Sequence, residues 1–379
     1  MLQIITPHTD FDLGFPRKPI NYKVDIPDAH INNDCGLIFF INGYSGLYDD
    51  IYSNKLRRFL SDKYNCIVCT VDYFGSHCFT YDEGLDLGFG HNFFIELKNR
   101  FGMNVTISKN IDAMQIIEAV FQNLKTLGVV SLPVEMHLSR KCSQYQSFSV
   151  LPALDHIQVL YALLEKYPID KKRIFVIGTS YGGNIALFMN KIAPNTIRLL
   201  IDNSGFSSSE ESLSTIYGFA QADVAGIECP IRNVPHFSSN PDHLAFFSPH
   251  HAALRFLADP FHYSPSETVV HTYHSSYDVV APIREKRRLH EVLGNFRTCM
   301  LHVVEREDQL DGSAFKNLEH GMNASMRALF EKSYAVYMDS LPHPPDHTDF
   351  DLETKLVLPC AGREYHVSYS KQGVRINLV

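Results

Sequence analysis

The sequence predicts an α/β fold in which a mostly parallel sheet is flanked by helices. Short apolar runs rich in β-forming residues alternate with longer segments in which apolar residues recur every three to four positions. Most of the short runs are apolar throughout, as expected of parallel strands buried on both faces. With 379 residues, 45% of them hydrophobic, the chain has the length of one enlarged domain or two ordinary ones.

The predicted strands and helices follow one another along most of the chain. Because most of the helical segments follow or precede an apolar run, the connections favour a parallel sheet. The predicted strands cover residues 21–26, 36–41, 66–71, 173–177, 197–201, 268–273 and 298–304. The predicted helices cover residues 48–61, 111–127, 154–166, 181–192, 283–293 and 321–340.

Two long intervals interrupt this alternation, at about residues 79–152 and 206–265. Long insertions in compact domains usually form lids or binding loops, so we expect both to be caps over the carboxyl edge of the sheet. The second insertion is rich in histidine, but neither helical spacing nor paired carboxylates favour a metal site over polar lid residues. These histidines are His236, His243, His250, His251 and His262.

The character of the chain changes near its C-terminal end. Prolines cluster at residues 342–345, and three short β-rich segments follow. A proline linker followed by such segments predicts a small β appendage. We therefore expect one main domain over residues 1–340 and a C-terminal β appendage over residues 341–379. The three segments cover residues 354–358, 364–369 and 374–378.

Composition and charge exclude several classes of protein. Lys and Arg number 34 against 42 Asp and Glu, a net charge of −8, and the scattered basic residues argue against a nucleic-acid surface. The longest apolar runs fall well short of the roughly 18 residues that a membrane-spanning helix needs. The sequence shows no signal-peptide pattern and no nucleotide-binding glycine motif, so we expect a cytoplasmic protein without a cofactor.

The eight cysteines are too few for a disulfide framework in a chain of this size. Cys66 and Cys69 have the spacing of a redox or zinc pair, but both fall in the predicted strand at 66–71. Residues three apart in a strand point to opposite faces, so the two sulfur atoms are expected to diverge. We interpret both as core residues.

The most informative motif is G-x-S-x-G at Gly178 to Gly182, between a predicted buried strand and a helix. This is the context of a nucleophile elbow, a strained turn that exposes a reactive serine. The two glycines leave room for the neighbouring strand and helix, and the N-terminus of the helix favours a developing oxyanion. An ordinary glycine-rich turn is the alternative that the flanking pattern disfavours. Ser180 is therefore the candidate nucleophile.

A serine hydroxyl needs a base to take its proton and an acid to orient that base. In a nucleophile-elbow protein the chain order is serine, acid, histidine. Asp278 follows the predicted strand at 268–273 and is the candidate acid. Asp202, directly after the strand at 197–201, is its main rival. The other interpretation of Asp278 is a turn or helix-capping aspartate.

His320 is the candidate base among 19 histidines. It lies in a loop after the last predicted strand of the main sheet and just before the long C-terminal helix. His302 falls inside a strand pattern and His290 inside a helix, so neither can reach the elbow as readily. A helix-capping or surface role is the alternative for His320.

An oxyanion hole in this context needs two backbone N–H groups, one from the residue after the nucleophile and one from a loop after an upstream strand. Tyr181 supplies the first. The loop after the strand at 36–41 supplies the second, because Gly43 permits the turn and Tyr44 offers its N–H. Ser45 is an auxiliary donor or a turn-stabilising residue.

With these motifs in this order, the chain resembles the α/β-hydrolase superfamily over roughly residues 21–340, and within it an uncharacterised bacterial branch. The resemblance rests on the stretches GTSYGG, YDVVAP, EHGM and NGYSG. It implies an α/β-hydrolase fold with a triad of Ser180, Asp278 and His320. Many esterases of the superfamily carry His-Gly in the oxyanion loop, where Asn42 precedes Gly43 here, and the C-terminal β appendage is also outside the usual pattern.

Taken together, these features predict a serine hydrolase that cleaves a carboxylic ester of a small polar molecule, such as an O-acetylated sugar, through an acyl-enzyme. An acyltransferase with the same triad and a peptidase of the same superfamily are the alternatives, and a non-catalytic binding protein is the alternative from another class. The segment before residue 26 is too short for the propeller or gating domain that such peptidases usually carry. The acyl length, the alcohol and the oligomeric state stay open.

Overall fold

A computed structural model describes residues 1–28, 31–44, 46–76, 97–105, 113–132, 134–136, 144–145, 147–207, 219–233, 242, 246–340 and 344–379. The chain divides into two compact units. Unit 1 comprises Met1–His77, Gln144–Ser209 and Pro249–Val379, and unit 2 comprises Cys78–Ser143 and Glu210–Ser248.

The strands and helices of the described residues are numbered in chain order. The strands are β1 (Leu2–Ile5), β2 (Ile20–Asp25), β3 (Gly36–Ile41), β4 (Cys66–Asp72), β5 (Val134–Met136), β6 (Ile174–Thr179), β7 (Leu199–Asn203), β8 (Phe219–Val224), β9 (Ile227–Asn233), β10 (Val269–Ser275), β11 (Cys299–Val304), β12 (Lys355–Cys360), β13 (Arg363–Ser370) and β14 (Gly373–Leu378). The helices are α1 (Ile51–Tyr64), α2 (Ala113–Thr126), α3 (Val150–Lys166), α4 (Tyr181–Ile192), α5 (Pro249–Arg255), α6 (Ile283–Leu293) and α7 (Met326–Ser340).

Unit 1 is built on an eight-stranded sheet with the order β1-β2-β4-β3-β6-β7-β10-β11. The pairs β1–β2 and β2–β4 are antiparallel, and the neighbours from β4 through to β11 are parallel. The prediction of a mostly parallel sheet flanked by helices is therefore confirmed. The parallel strands direct their carboxyl ends toward one edge, where open α/β sheets carry their ligand sites.

Helices cover both faces of this sheet. On one face Phe40 packs with Leu60 of α1 and Phe330 of α7 in a buried cluster. On the other face the ring of Phe39 meets the ring of His156 in α3, with 5.9 Å between their centroids. Because consecutive residues of a strand point to opposite faces, a run that is apolar throughout can fill both layers.

Two helices begin later than the sequence suggested, each for a local reason. Helix α1 begins at Ile51 because the Asp50 side chain caps it, accepting a hydrogen bond from the backbone N–H of Ser53 at 2.6 Å.

Helix α7 begins at Met326 because Gly321, with φ of 75°, takes a left-handed conformation that interrupts the helical path. Residues 320–323 form a 3-10 turn instead, which leaves His320 in the loop.

The C-terminal segments form an antiparallel sheet in the order β12-β13-β14. This sheet belongs to the same compact unit as the main sheet. The Tyr369 hydroxyl donates to the carbonyl of Ile192 at the end of α4, at 2.8 Å. The buried carboxylate of Asp349 accepts hydrogen bonds from Asn195 and from the Thr196 hydroxyl. These contacts join the C-terminal segments to the amino end of β7.

Unit 2 contains helix α2 and a second small sheet with the order β5-β9-β8. Strand β9 pairs parallel with β5 and antiparallel with β8. The Lys125 ammonium of α2 donates to the carbonyl of Ala225, in the turn between β8 and β9, at 3.1 Å. The proposed role of the two insertions as caps stays a prediction. None of the described helices combines the length and the apolar character that crossing a membrane requires.

Cys66 and Cys69 lie in β4 as free, buried thiols, which confirms their interpretation as core residues. Burial raises the pKa of the Cys66 thiol to about 12, and it raises the pKa of Cys69 as well. Neither thiol ionises near neutral pH, so neither is a nucleophile or a ready metal ligand.

Candidate active site

The three candidate catalytic side chains lie next to one another at the carboxyl edge of the main sheet. Ser180 follows β6, Asp278 follows β10 and His320 follows β11. Ser180 Oγ lies 2.7 Å from His320 Nε2. His320 Nδ1 lies 2.8 Å from Asp278 Oδ2 and 3.0 Å from Oδ1. The three groups form a continuous hydrogen-bonded chain that can move a proton from the hydroxyl to the imidazole.

Ser180 occupies a strained turn between β6 and α4, with φ of 53° and ψ of −121°. Its backbone N–H donates to the carbonyl of Asn203 at 2.7 Å, which holds the turn against the end of β7. Close packing explains the flanking glycines. A Cβ built on Gly178 would lie 2.2 Å from the Gly182 carbonyl oxygen, and one on Gly182 would lie 2.1 Å from the Ile41 carbonyl oxygen. Any larger residue would displace the strand or the helix.

The Asp278 side chain is fully buried, and its Oδ1 accepts hydrogen bonds from the backbone N–H groups of Val280 (2.9 Å) and Ala281 (2.8 Å). Burial alone would raise the pKa of this carboxyl. The hydrogen bonds from His320 and Ala281 outweigh burial and hold the pKa of Asp278 below its usual range. The carboxylate is therefore ionised at neutral pH and can orient an imidazole.

His320 bonds to a carboxylate through Nδ1 and to a hydroxyl through Nε2. The carboxylate only accepts, so the network assigns the proton of the neutral ring to Nδ1 and leaves Nε2 free to accept the serine proton. The His320 side chain keeps 22% of its surface exposed, whereas that of Asp278 keeps none. A general base needs this combination of a fixed tautomer and access to the reacting atoms.

Two buried polar residues that the sequence analysis missed hold the histidine loop in place. The Asn203 side-chain amide donates to the carbonyl of Gly321 and to the hydroxyl of Thr179, both at 3.1 Å. The Ser275 hydroxyl donates to the carbonyl of Leu318. Asn203 thus contacts the neighbours of both the nucleophile and the base. Its position at the carboxyl end of a buried strand was the available signal, because such residues lie at the carboxyl edge of the sheet.

Asp202, the rival for the acid position, does not reach His320. Its Oδ2 lies 2.7 Å from the ammonium nitrogen of Lys286, and its Oδ1 accepts from the backbone N–H of Gly205 at 2.8 Å. The structure therefore pairs His320 with Asp278 and leaves Asp202 in a separate buried ion pair.

The candidate oxyanion loop lies against the nucleophile. A Cβ built on Gly43 would lie 3.2 Å from Ser180 Cβ and 3.8 Å from Ser180 Oγ. The Asn42 side chain anchors the loop, because its amide donates to the carbonyl of Leu47 (2.8 Å) and to the hydroxyl of Ser53 (2.9 Å). Ser45 lies outside the described residues.

Comparison with known proteins places the whole chain in one family. A family model described as "Protein of unknown function (DUF2920)" matches residues 4–378. The chain belongs to this family. No curated protein matches its sequence.

Solved structures similar to this DUF2920 protein include two esterases and a peptidase. Est1E from Butyrivibrio proteoclasticus, with ferulic acid bound, is 11% identical with a TM-score of 0.45, over 85% of this chain and 95% of its own. The esterase Est2 from Thermogutta terrifontis, with butyrate bound, is 11% identical with a TM-score of 0.43, over 88% and 92%. The acylaminoacyl peptidase of Pyrococcus horikoshii is 12% identical with a TM-score of 0.46, over 89% of this chain and 40% of its own.

The DUF2920 chain has an α/β-hydrolase fold, as expected from its resemblance to that superfamily. Its sheet order, its mostly parallel strands and the strained serine turn between β6 and α4 carry this assignment.

Aromatic rings surround the residue that follows the nucleophile in this DUF2920 protein. The Tyr181 ring is stacked on Phe206 with 5.9 Å between centroids, and it meets Tyr44 and Tyr73 edge to face at 6.3 and 6.1 Å. Tyr181 is almost fully buried, and its hydroxyl accepts from the backbone N–H of Ser149 at 2.8 Å. Rigid packing of this kind fixes the backbone N–H that Tyr181 would present to an oxyanion.

Three of the five histidines of the second insertion interval lie in described parts of the chain. His251 lies 3.3 Å from the carbonyl oxygen of Asp12, and His262 lies 2.8 Å from that of Pro359. His236 and His243 fall outside the described residues. Within the described ranges, no group of three or more His, Cys, Asp or Glu side chains is arranged so that it could hold a metal ion.

Proposed function

We propose that this protein is a serine hydrolase that cleaves a carboxylic ester of a small polar molecule through an acyl-enzyme intermediate. The observation that carries the proposal is the hydrogen-bonded chain from Asp278 through His320 to Ser180, with contacts of 2.8 and 2.7 Å. A buried ionised carboxylate, an imidazole of fixed tautomer and a hydroxyl on a strained turn have the geometry that nucleophilic acyl transfer needs.

In the acylation step Ser180 Oγ attacks the carbonyl carbon of the ester, and His320 Nε2 takes the hydroxyl proton. The Asp278 carboxylate stabilises the imidazolium that forms, without taking a proton itself. As the tetrahedral intermediate collapses, the bond to the alcohol oxygen breaks and His320 gives its proton to the leaving alcohol. The acyl group stays on Ser180.

In the deacylation step water attacks the acyl carbon and gives its proton to His320. Collapse of the second intermediate releases the carboxylic acid, and the proton returns from His320 to Ser180 Oγ. The exposed part of the His320 side chain supports this step, since water must reach Nε2.

The oxyanion of both intermediates is proposed to accept hydrogen bonds from the backbone N–H groups of Tyr181 and Tyr44. Three observations support this assignment: Gly43 approaches Ser180, Asn42 anchors its loop, and Tyr181 begins the helix whose positive end lies at the serine. Donors fixed by packing stabilise the transition state without reorganisation.

Hydrolysis of short-chain aryl esters and of O-acetylated sugars tests the proposal. We expect turnover by the wild-type chain, and the rate should fall to the uncatalysed background in Ser180→Ala, which removes the nucleophile and leaves the fold. Ser370→Ala, in the C-terminal sheet, is the matched control and should retain the full rate. Equal residual rates in wild type and Ser180→Ala would instead favour a non-catalytic binding role.

A further inference from the structure

A buried ion pair lies behind the triad and takes no part in the proposed chemistry. The ammonium nitrogen of Lys286 lies 2.7 Å from Asp202 Oδ2, and the two side chains are 1% and 0% exposed. Removing two charges from water costs several kcal/mol per ion, and the attraction between them repays this only in favourable geometry. A buried ion pair of this kind is therefore weak evidence for a gain in folding stability. Its position beside the candidate catalytic residues tells more about what it does.

The aspartate end of the pair lies against the nucleophile elbow. A Cβ built on Gly183 would lie 2.2 Å from Asp202 Oδ1, so this carboxylate fills the space beside the first turn of α4. The carbonyl oxygen of the next residue, Asn203, accepts a hydrogen bond from the backbone N–H of Ser180 at 2.7 Å. A shift of Asp202 would therefore move both the turn that carries the nucleophile and the carbonyl that holds it.

The lysine end of the pair belongs to the element that follows the acid loop, residues 276–282. Helix α6 starts at Ile283, so Lys286 lies in its first turn. Within the loop Ala281 donates its N–H to Asp278 Oδ1 at 2.8 Å, and its carbonyl oxygen lies 2.6 Å from His274 Nε2. The position of the catalytic acid thus depends on where α6 begins.

We propose that Lys286 and Asp202 are positioning residues that fix the nucleophile elbow and the acid loop at one separation. His320 must bond to both sides at once, with 2.7 Å to Ser180 and 2.8 Å to Asp278. A larger separation of the two sides lengthens at least one of these bonds, and a smaller one forces the imidazole out of line with its partners. This inference rests on the proposed function, because it assigns the pair a role in aligning the proposed triad.

Neighbouring polar groups complete the surroundings of the pair. Thr272 Oγ1 lies 3.3 Å from Asp202 Oδ2 and 2.8 Å from His290 Nε2. Asp202→Asn would keep an acceptor for the Gly205 N–H and replace the oxygen that faces Lys286 and Thr272 with an uncharged NH2 group, which can donate to the Thr272 hydroxyl. Lys286→Met would keep the aliphatic stem. The double variant Asp202→Asn/Lys286→Met therefore removes the ionic bond without leaving an unpaired buried charge, which makes it the variant best able to fold.

Two measurements separate positioning from stability. The first is the rate at which a fluorophosphonate modifies folded protein, which depends on the triad and needs no knowledge of the substrate. The second is the far-downfield proton NMR signal of His320 Nδ1–H, which reports the bond to Asp278. The control is Asp349→Asn, which changes an equally buried carboxylate beside the opposite end of the same strand, β7.

We expect the double variant to unfold near the wild-type temperature and yet to react about tenfold or more slowly, because misplacement of catalytic groups by about 1 Å can cost a hundredfold in rate. Its Nδ1–H signal should shift or broaden. Asp349→Asn should lose stability and keep both the wild-type rate and the signal. Wild-type rate and signal in the double variant would overturn the inference. A wild-type protein that does not react at Ser180 would overturn the proposed function instead, and the NMR comparison would still test the pair.

Discussion

At the scale of single residues, the site depends on which atom holds each proton. The Asp278 carboxylate receives two backbone N–H groups and one imidazole N–H, so all its stabilising contacts favour the ionised form. His320 is therefore fixed as the tautomer that leaves Nε2 facing Ser180. The same local chemistry makes single-atom substitutions informative.

Replacing Asp278 with Asn tests the tautomer. An amide at this position can still accept from Val280 and Ala281, but it can present an N–H to His320 Nδ1 and stabilise the wrong tautomer. We expect the fluorophosphonate reaction to slow by about 10⁴-fold, as in other triads that carry this change. Asp311→Asn is the control, because Asp311 Oδ1 also accepts backbone N–H groups in an exposed turn. Full reactivity in Asp278→Asn would contradict the assignment of the acid.

Replacing Asn203 with Leu tests the link between nucleophile and base. The change removes the donor to Gly321 and Thr179 and leaves the partly buried carbonyl of Gly321 without this partner, a cost of about 1 kcal/mol in the free energy of unfolding. We also expect a rate loss of about tenfold or more, since the histidine loop loses its tether to the elbow.

Asn190→Leu provides the comparison for this test, because Asn190 is also buried and its amide donates to Thr268 at 2.8 Å. Asn190→Leu should lower the free energy of unfolding, measured with urea. It should leave the rate of fluorophosphonate labelling per folded molecule unchanged. Equal rates in the two Leu variants would show that Asn203 serves only the fold.

At the scale of elements, the elbow depends on the close approach of α4 to the end of β3. Gly182→Ala would bring a Cβ to 2.1 Å from the Ile41 carbonyl oxygen. We expect a loss of about 1–3 kcal/mol in the free energy of unfolding from overpacking, together with a strong loss of labelling as the candidate oxyanion loop after β3 is displaced.

Gly362→Ala is the matched control for the elbow variant. Gly362 has φ of 84° at a hairpin tip with open space around it, so alanine there costs about 1–2 kcal/mol from backbone strain alone. Its labelling rate should equal that of the wild type. If Gly182→Ala matched Gly362→Ala in both stability and labelling rate, the close approach of α4 to β3 would not be needed for the reactivity of Ser180.

The element scale also shows what sequence reasoning can reach. The parallel strands were predictable because they are apolar on both faces, whereas β1 has only four residues with alternate side chains exposed. Strand β9 contains Pro230, which argues against a strand in sequence analysis. The motif residues of the site were predictable because each follows a strand, in a fixed chain order. The contacts of Asn203 and Lys286 were not, because they depend on which strand ends lie side by side in the fold.

At the scale of the whole molecule, buried neutral histidines couple folding to pH. Burial lowers the pKa of His156, His271 and His290 to about 4 in the folded chain, against an ordinary value of 6.5. Below pH 6.5 the unfolded chain therefore binds more protons than the folded one. Stability is fully present above that pH and is lost as the pH falls toward 4, by roughly 1.4 kcal/mol per pH unit for each fully buried histidine at most.

The variant His271→Phe tests this account of the pH dependence. Neither ring nitrogen of His271 has a hydrogen-bond partner, so an aromatic ring of similar size should be tolerated. We expect the slope of unfolding free energy against pH, measured by urea unfolding, to fall by the equivalent of about one proton near pH 5 and to change little at pH 7.5. An unchanged slope would mean that His271 is not neutral in the folded protein.

The most direct test of the central claim is fluorophosphonate modification of the native protein followed by mass mapping of the modified residue. Ser180 should carry the adduct, and unfolding the protein in urea or replacing His320 with Gln should abolish the reaction, because the hydroxyl is reactive only in the assembled triad. An adduct on any other residue of the folded chain, or none at all, would contradict the assignment of Ser180, His320 and Asp278 as the catalytic groups.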